Sequence, residues 1–285
     1  MTSPIPSWLG LLVLMSVFTA MLSLGLMLGR EQVAAAMQRR VVLGALLFAV
    51  VVPVPAIAVL LVKGFGIKGA AAAGILLMSI SPGAPVSLRR AIEAGGHPVF
   101  APALHLAIVI TAVVTVPASV AILDWIFEKD FSVSPIDVAR QVFVAQLLPL
   151  GLGAGFRAFR PAAAARVEPH LAQLANVMLI GLLVALVIVL WPLLEELGWT
   201  PFVSGMGLAV CALLVGAACA GRDAAVRPAG AVATAMRNPG LALLIATVNK
   251  VPATVIAAIF GCALGLAVIV TAFVVWQGQR NNTGK

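Results

Sequence analysis

Charge is scarce in this chain. Only 10% of its 285 residues are Asp, Glu, Lys or Arg, where a soluble domain carries about 25%, so an ordinary water-soluble fold is excluded. Carboxylates are scarcest of all, and none falls in the middle of an apolar run. The sequence has no paired carboxylates, no nucleophile–base pair, no phosphate loop and no cluster of metal-ligating side chains. An enzyme, a metal site and a cofactor are therefore not expected. The three cysteines, Cys211, Cys219 and Cys262, lie inside apolar runs without ligand spacing and read as small buried hydrophobes. No basic segment precedes the first apolar run and no cleavage site follows it, so residues 8–29 read as a retained span, not a signal peptide.

What the chain does have is hydrophobic length. With 62% hydrophobic residues and a mean hydropathy of +1.13, and about 20 apolar residues needed per span, it divides into nine: about 8–29, 41–62, 69–88, 98–123, 138–156, 171–193, 201–220, 229–249 and 253–277. The expected fold is all-α, a polytopic membrane protein. The net charge of +8 does not point to nucleic acid, because the basic residues fall in short connectors and not on one face. Connectors after alternate spans, with the C-terminal tail, hold Arg30, Arg39, Arg40, Arg89, Arg90, Arg157, Arg160, Arg166, Arg222, Arg227, Arg280 and Lys285. The opposite side holds Lys63, Lys68, Lys129 and Lys250, and Arg140 lies near the start of the fifth span. Positive residues stay cytoplasmic, which predicts a multi-pass cell-membrane protein with its N-terminus outside and its C-terminus inside. Asp124, Glu128, Asp130, Asp137, Glu195 and Glu196 then lie on the outer side.

Two spans are interrupted. In 232–250 the apolar run is broken by Arg237, Asn238, Pro239 and Gly240; proline removes a backbone donor and clashes with the preceding turn, and glycine accepts nearly any conformation. In 81–88 the run Ser-Pro-Gly-Ala-Pro-Val-Ser-Leu carries two prolines around a glycine. Broken helices persist in lipid only where protein or a water-filled cavity satisfies the freed groups. Paired interruptions in corresponding halves point to an inverted repeat with its site near the midplane. That divides a single transporter domain, 1–285, into a first repeat 1–123 with its discontinuous helix at about 69–88, a second repeat 138–277 with its discontinuous helix at about 229–249, and a cytoplasmic tail 278–285.

Arg237 is the charge beside the second break, and an intramembrane ionisable group is a functional-site hypothesis by default. It either binds or substitutes for an ion, or plugs the break by bonding to helix-end carbonyls. His105 is the one histidine inside a span; it is either a proton relay or a packing residue with its polar atoms satisfied. Gln146, Asn176 and Asn249 are candidates for hydrogen bonds between helices.

In these segments the chain resembles the bile acid:sodium symporter family. The resemblance rests on 21–40, the Pro53 helix, the SPGAPVSL segment, the Leu148-Pro149-Leu150-Gly151-Leu152-Gly153 run and Met236-Arg237-Asn238-Pro239-Gly240, in that order along the chain. It implies a panel of helices beside a core domain in which the two broken helices cross, with two sodium ions at the crossing next to the substrate cavity. The family's sodium ligands do not carry over. Ser87 matches a retained serine, but the following asparagine position is Leu88; a serine and threonine on the next helix match Ala101 and His105; a glutamine on the second span matches Phe48. The family's Glu-x-x-Met-Gln-Asn is here Ala233, Thr234, Ala235, Met236, Arg237, Asn238. Sodium needs several oxygen ligands, by the same logic as other hard cations, and a fixed cation a few ångströms away would repel it by several kcal/mol.

The resemblance therefore implies a secondary carrier for a small organic anion, working by alternating access, with sodium not expected as the coupling ion and a proton as a candidate. Its substrate-binding residues would be Arg237, Asn238, Ser87, His105, Met236 and Thr234. The alternatives are a conventional sodium-coupled symporter and a non-transporting membrane receptor on the same scaffold.

Overall fold

The structure is a computed structural model describing residues 7–127 and 134–283. Glu128, Lys129, Asp130 and Lys285, assigned to connectors or tail from the sequence, lie outside the described residues. Every element among the described residues is helical. Seven helical stretches are long and apolar enough to cross a membrane: Trp8–Met27, Arg40–Gly64, Phe100–Ile126, Pro135–Phe159, Pro161–Leu197, Thr200–Cys219 and Ala253–Arg280. The third and eighth expected spans are each built from two short helices, so all nine expected spans have a counterpart, and the chain is a multi-pass membrane protein.

The elements in order are α1 (Ser7–Met27), α2 (Arg30–Gln38), α3 (Arg40–Val51), α4 (Pro53–Gly64), α5 (Gly69–Ser79), α6 (Pro85–Glu93) and α7 (Phe100–Ile126). They are followed by α8 (Pro135–Val142), a π turn (Phe143–Leu147), α9 (Leu148–Phe159), α10 (Pro161–Leu197), α11 (Thr200–Cys219), α12 (Val226–Ala235), α13 (Pro239–Val248) and α14 (Ala253–Thr283). Proline sets several of these boundaries. Pro53, Pro85 and Pro239 each begin a helix, a position where the missing N–H is no loss.

The expected limits shift at three places. The connector after α1 folds into α2, whose entry is held by Gly29 N–H donating to Gln32 Oε1 at 2.7 Å. The sixth span starts at Pro161, ten residues before the expected 171, and makes a 37-residue helix, about 55 Å long at 1.5 Å per residue. The hydrocarbon layer is about 30 Å thick, so the helix is longer than the layer; near its start Glu168 accepts from Ser23 of α1 at 3.4 Å. The last span likewise stays helical to Thr283.

Helices α1, α9 and α10 pack on one another as one layer. Glycine permits the closest crossing in it: a Cβ at Gly25 would stand 2.3 Å from the carbonyl oxygen of Leu150, and one at Gly153 would stand 2.4 Å from that of Leu22. The remaining helices surround the paired breaks. There α11 and α14 cross equally closely, since a Cβ at Gly265 would lie 2.0 Å from the carbonyl oxygen of Phe202.

Outside the membrane-spanning segments, the α11–α12 loop is tied to the α2–α3 corner by Arg39, which donates to the carboxylate of Asp223. That hydrogen bond, then one from Ala225 N–H, holds the Asp223 carboxyl below its usual pKa. A lowered carboxylate pKa stabilises the fold above the unfolded value, and that contribution is lost as pH falls through the folded one. The tie is solvent-exposed and small in worth.

Candidate functional site

The two breaks meet. Residues between α5 and α6 run extended past those between α12 and α13, with Pro82 and Arg237 paired in an isolated antiparallel bridge. Asn238 N–H donates to the Ser81 carbonyl at 2.7 Å. Gly83 adopts φ +79°, in the left-handed region that glycine alone enters without strain, and this turns the chain from the first half-helix into α6. The C-terminal ends of α5 and α12 and the N-terminal ends of α6 and α13 thus converge on one point.

Asn238 organises the second break. Its side-chain oxygen accepts from Leu241 N–H at 3.1 Å, capping α13, and its amide nitrogen donates to the Gly83 carbonyl at 3.2 Å. One side chain therefore caps its own half-helix and ties it to the other break. Asn238→Ala should destabilise the protein by about 1–2 kcal/mol, the usual worth of an N-cap, with the Gly83 tie lost as well. Asn238→Asp keeps the cap but loses the tie. Differential scanning fluorimetry should rank the unfolding temperatures as wild type, then Asp, then Ala.

Arg237 is 2% exposed. Its Nη1 donates to the Val50 carbonyl at 3.1 Å and its Nη2 to the Thr234 carbonyl at 2.9 Å. Both carbonyls lie in the last turn of a helix, α3 and α12, where no intrahelical donor follows. A helix C-terminus also carries about half a negative charge. The guanidinium thus sits at two negative helix ends, and no carboxylate is within ion-pair distance of it among the described residues. Its Nε has no hydrogen-bond partner there.

Thr234 enters the site through its backbone. Its carbonyl accepts from Arg237, while its hydroxyl is buried with no partner among the described residues and lies against Gly216 of α11. Met236, half-buried, has the extended backbone that ends α12. Ser87 and His105 form a second buried pair, Ser87 Oγ to His105 Nδ1 at 3.0 Å. His105 Nε2 has no partner, and no hydrogen bond joins the pair to Arg237 among the described residues. The six predicted site residues thus fall into two groups, one at the second break and one between α6 and α7.

The positions at which the resemblance removes oxygen ligands are apolar and inside. Leu88, Ala101 and Ala233 are all buried. Phe48 is 57% exposed, so its side chain points away from the crossing, and the α3 residue that reaches Arg237 is Val50, through its carbonyl. Two hydroxyls near the first break are engaged: Ser79 donates to the Leu76 carbonyl at 2.7 Å and Ser81 to the Leu77 carbonyl at 2.8 Å.

Of the other polar candidates, Asn249 donates to Gln141 Oε1 at 3.3 Å, joining α13 to α8. Asn176 is exposed. Gln146 lies in the π turn, buried, with neither amide atom bonded among the described residues. Sequence reasoning missed Val50, Thr115 and Ser119, which line a cleft beside Arg237. No side-chain signal marked them, since Val50 acts through its carbonyl and Thr115 and Ser119 are isolated hydroxyls in an apolar helix.

Compared with known proteins, residues 14–194 match the model of the Sodium Bile acid symporter family. The matched stretch contains the first broken helix and ends before the second. No curated protein matches the chain.

Proposed function

For a chain that belongs to the sodium bile acid symporter family, a family of transporters and not of enzymes, we propose a carrier of a small organic anion that works by alternating access without sodium. Arg237 takes the place of the missing ions. The observation that carries this reading is the pair of hydrogen bonds from its guanidinium to the Val50 and Thr234 carbonyls. These, with the Ser81 and Gly83 carbonyls held by Asn238, are the oxygens a cation at the crossing would need. Their donors compete with a cation for the same lone pairs, and the fixed charge repels it as well.

In this account the chain is an inverted repeat. The layer of α1, α9 and α10 acts as the panel, and the helices around the crossing move against it as the core. The excess of arginine in alternate connectors orients the chain with its N-terminus outside and its C-terminus cytoplasmic, in the cell membrane.

Counterflow in proteoliposomes, with choline as the only organic cation and sodium omitted, tests the reading on a panel of radiolabelled acetate, pyruvate and taurocholate. Exchange of at least one of them is expected. Exchange seen only when sodium is restored would mean a conventional symporter, and binding without exchange would mean a receptor.

His105 serves packing in this account and carries no coupling proton. Its Nδ1 is engaged by Ser87 and no carboxylate lies within ion-pair distance of it among the described residues. His105→Gln, which can keep a hydrogen bond to Ser87, should leave the pH-gradient dependence of exchange unchanged; loss of that dependence would assign the proton to the imidazole.

A further inference from the structure

We infer that a cleft beside Arg237 binds a small monovalent anion, separate from the transported substrate. The inference rests on the reading of Arg237 as a permanent charge at the crossing. The cleft is narrow and partly open to the outside, and Arg237, Thr115 and Ser119 line it among apolar residues that include Val50, Ile80 and Pro82.

Three observations converge on an anion. The first is charge: the guanidinium has five N–H groups, two of its nitrogens bond carbonyls, and its Nε has no acceptor among the described residues. No carboxylate balances it there. A cation sealed into apolar surroundings draws in a counter-charge, because isolated charge is costly to bury.

The second is a pair of free hydroxyls. Within a membrane helix a Ser or Thr hydroxyl ordinarily donates back to a carbonyl three or four residues earlier. Thr111 does so, to Ala107 at 2.8 Å and to Ile108 at 3.0 Å. The hydroxyls of Thr115 and Ser119, the next residues on that face of α7, make no hydrogen bond among the described residues, yet both residues line the cleft. Spaced by four residues, they stand one turn apart on one side of the helix and can donate toward a common point.

The third is size and place. The cleft is narrow, with few lining residues, far short of the pockets that enclose drug-sized ligands, so it excludes a sterol-like acid. Its lining includes no residue of α1, α9 or α10, so the site does not lie on the boundary across which the panel and core would move. The anion is held by the core, with Arg237 bridging it to the carbonyls of α3 and α12, and Thr115 and Ser119 completing its shell.

The test is thermal unfolding of the detergent-purified full chain, titrated with sodium chloride against sodium gluconate at constant sodium. Chloride is expected to raise the unfolding temperature saturably, gluconate being too large for the cleft. Thr115→Val with Ser119→Ala should raise the half-saturating chloride concentration at least tenfold, while unfolding in gluconate stays close to wild type.

No chloride-specific stabilisation of the wild type would overturn the proposal, leaving water in the cleft. So would an unchanged half-saturation in the double variant. If acetate stabilises and chloride does not, the proposal also fails, and the guanidinium belongs to the transported carboxylate. Because sodium is held constant, this result is independent of whether sodium binds at the crossing, and the wild-type arm decides even if the variant fails to fold.

Discussion

Arg237→Gln is expected to unfold about 4–16 °C below wild type and to lose exchange activity altogether. Hydrogen bonds from a charged donor contribute about 1.5–3 kcal/mol each, and the Val50 and Thr234 carbonyls would both be left at helix ends without a donor. Against this, the variant no longer buries a charge. That gain is reduced because the guanidinium already sits at two negative helix ends, so a net loss of about 2–4 kcal/mol follows. At about 2–4 °C per kcal/mol for a chain of this size class, that is the stated fall in Tm. Activity suffers more than stability, since the crossing loses the brace that ties the end of α12 to the end of α3. Arg237→Lys separates charge from geometry. It keeps the positive charge, but a single ammonium lacks the planar fork that spans two carbonyls. An intermediate Tm is expected, nearer to that of the Gln variant. Equal stability of all three proteins would show that the guanidinium braces nothing.

The second large effect lies far from the charge. Gly25→Val and Gly153→Val should each reduce the yield of folded monomer severely, read by fluorescence-detected size-exclusion chromatography and Tm. The atoms a Cβ would strike at 2.3 and 2.4 Å are backbone oxygens of the facing helix, which cannot rotate aside. Either α1 and α9 separate, losing packing along their length, or both backbones distort. Overpacking in ordinary cores costs about 1–3 kcal/mol, and this case lies at the upper end because no flexible side chain can absorb the clash. Gly151→Ala and Gly155→Ala are the internal controls. Both lie in α9, where a Cβ added at either position would meet nothing within 4 Å, and each should fold like wild type. If all four variants behave alike, glycine in this run serves composition and not the crossing.

These two cases show what the sequence could and could not disclose. Pro82, Pro85 and Pro239 revealed both broken helices on their own, because proline acts on its own backbone and needs no partner. That the two breaks touch was inferable only from their pairing; the bridge between Pro82 and Arg237 joins segments far apart in the chain. The role of Thr234 was legible in place but not in kind, since a sequence displays its hydroxyl, while the structure uses its carbonyl. Val50 was invisible for the same reason: a backbone acceptor carries no side-chain signature. Within Gly151, Gly153 and Gly155, only facing geometry distinguishes the one that touches α1. Thr115 and Ser119 looked like ordinary hydroxyls in an apolar helix, and only their lack of a carbonyl partner beside a lone guanidinium sets them apart from Thr111.

The central claim is that a built-in guanidinium stands where related carriers hold mobile sodium. Equilibrium dialysis of the purified full chain against ²²Na⁺ tests it most directly. The account predicts no saturable sodium binding by the wild type at any concentration up to the physiological range. Saturable binding of one or two ions per chain would contradict it.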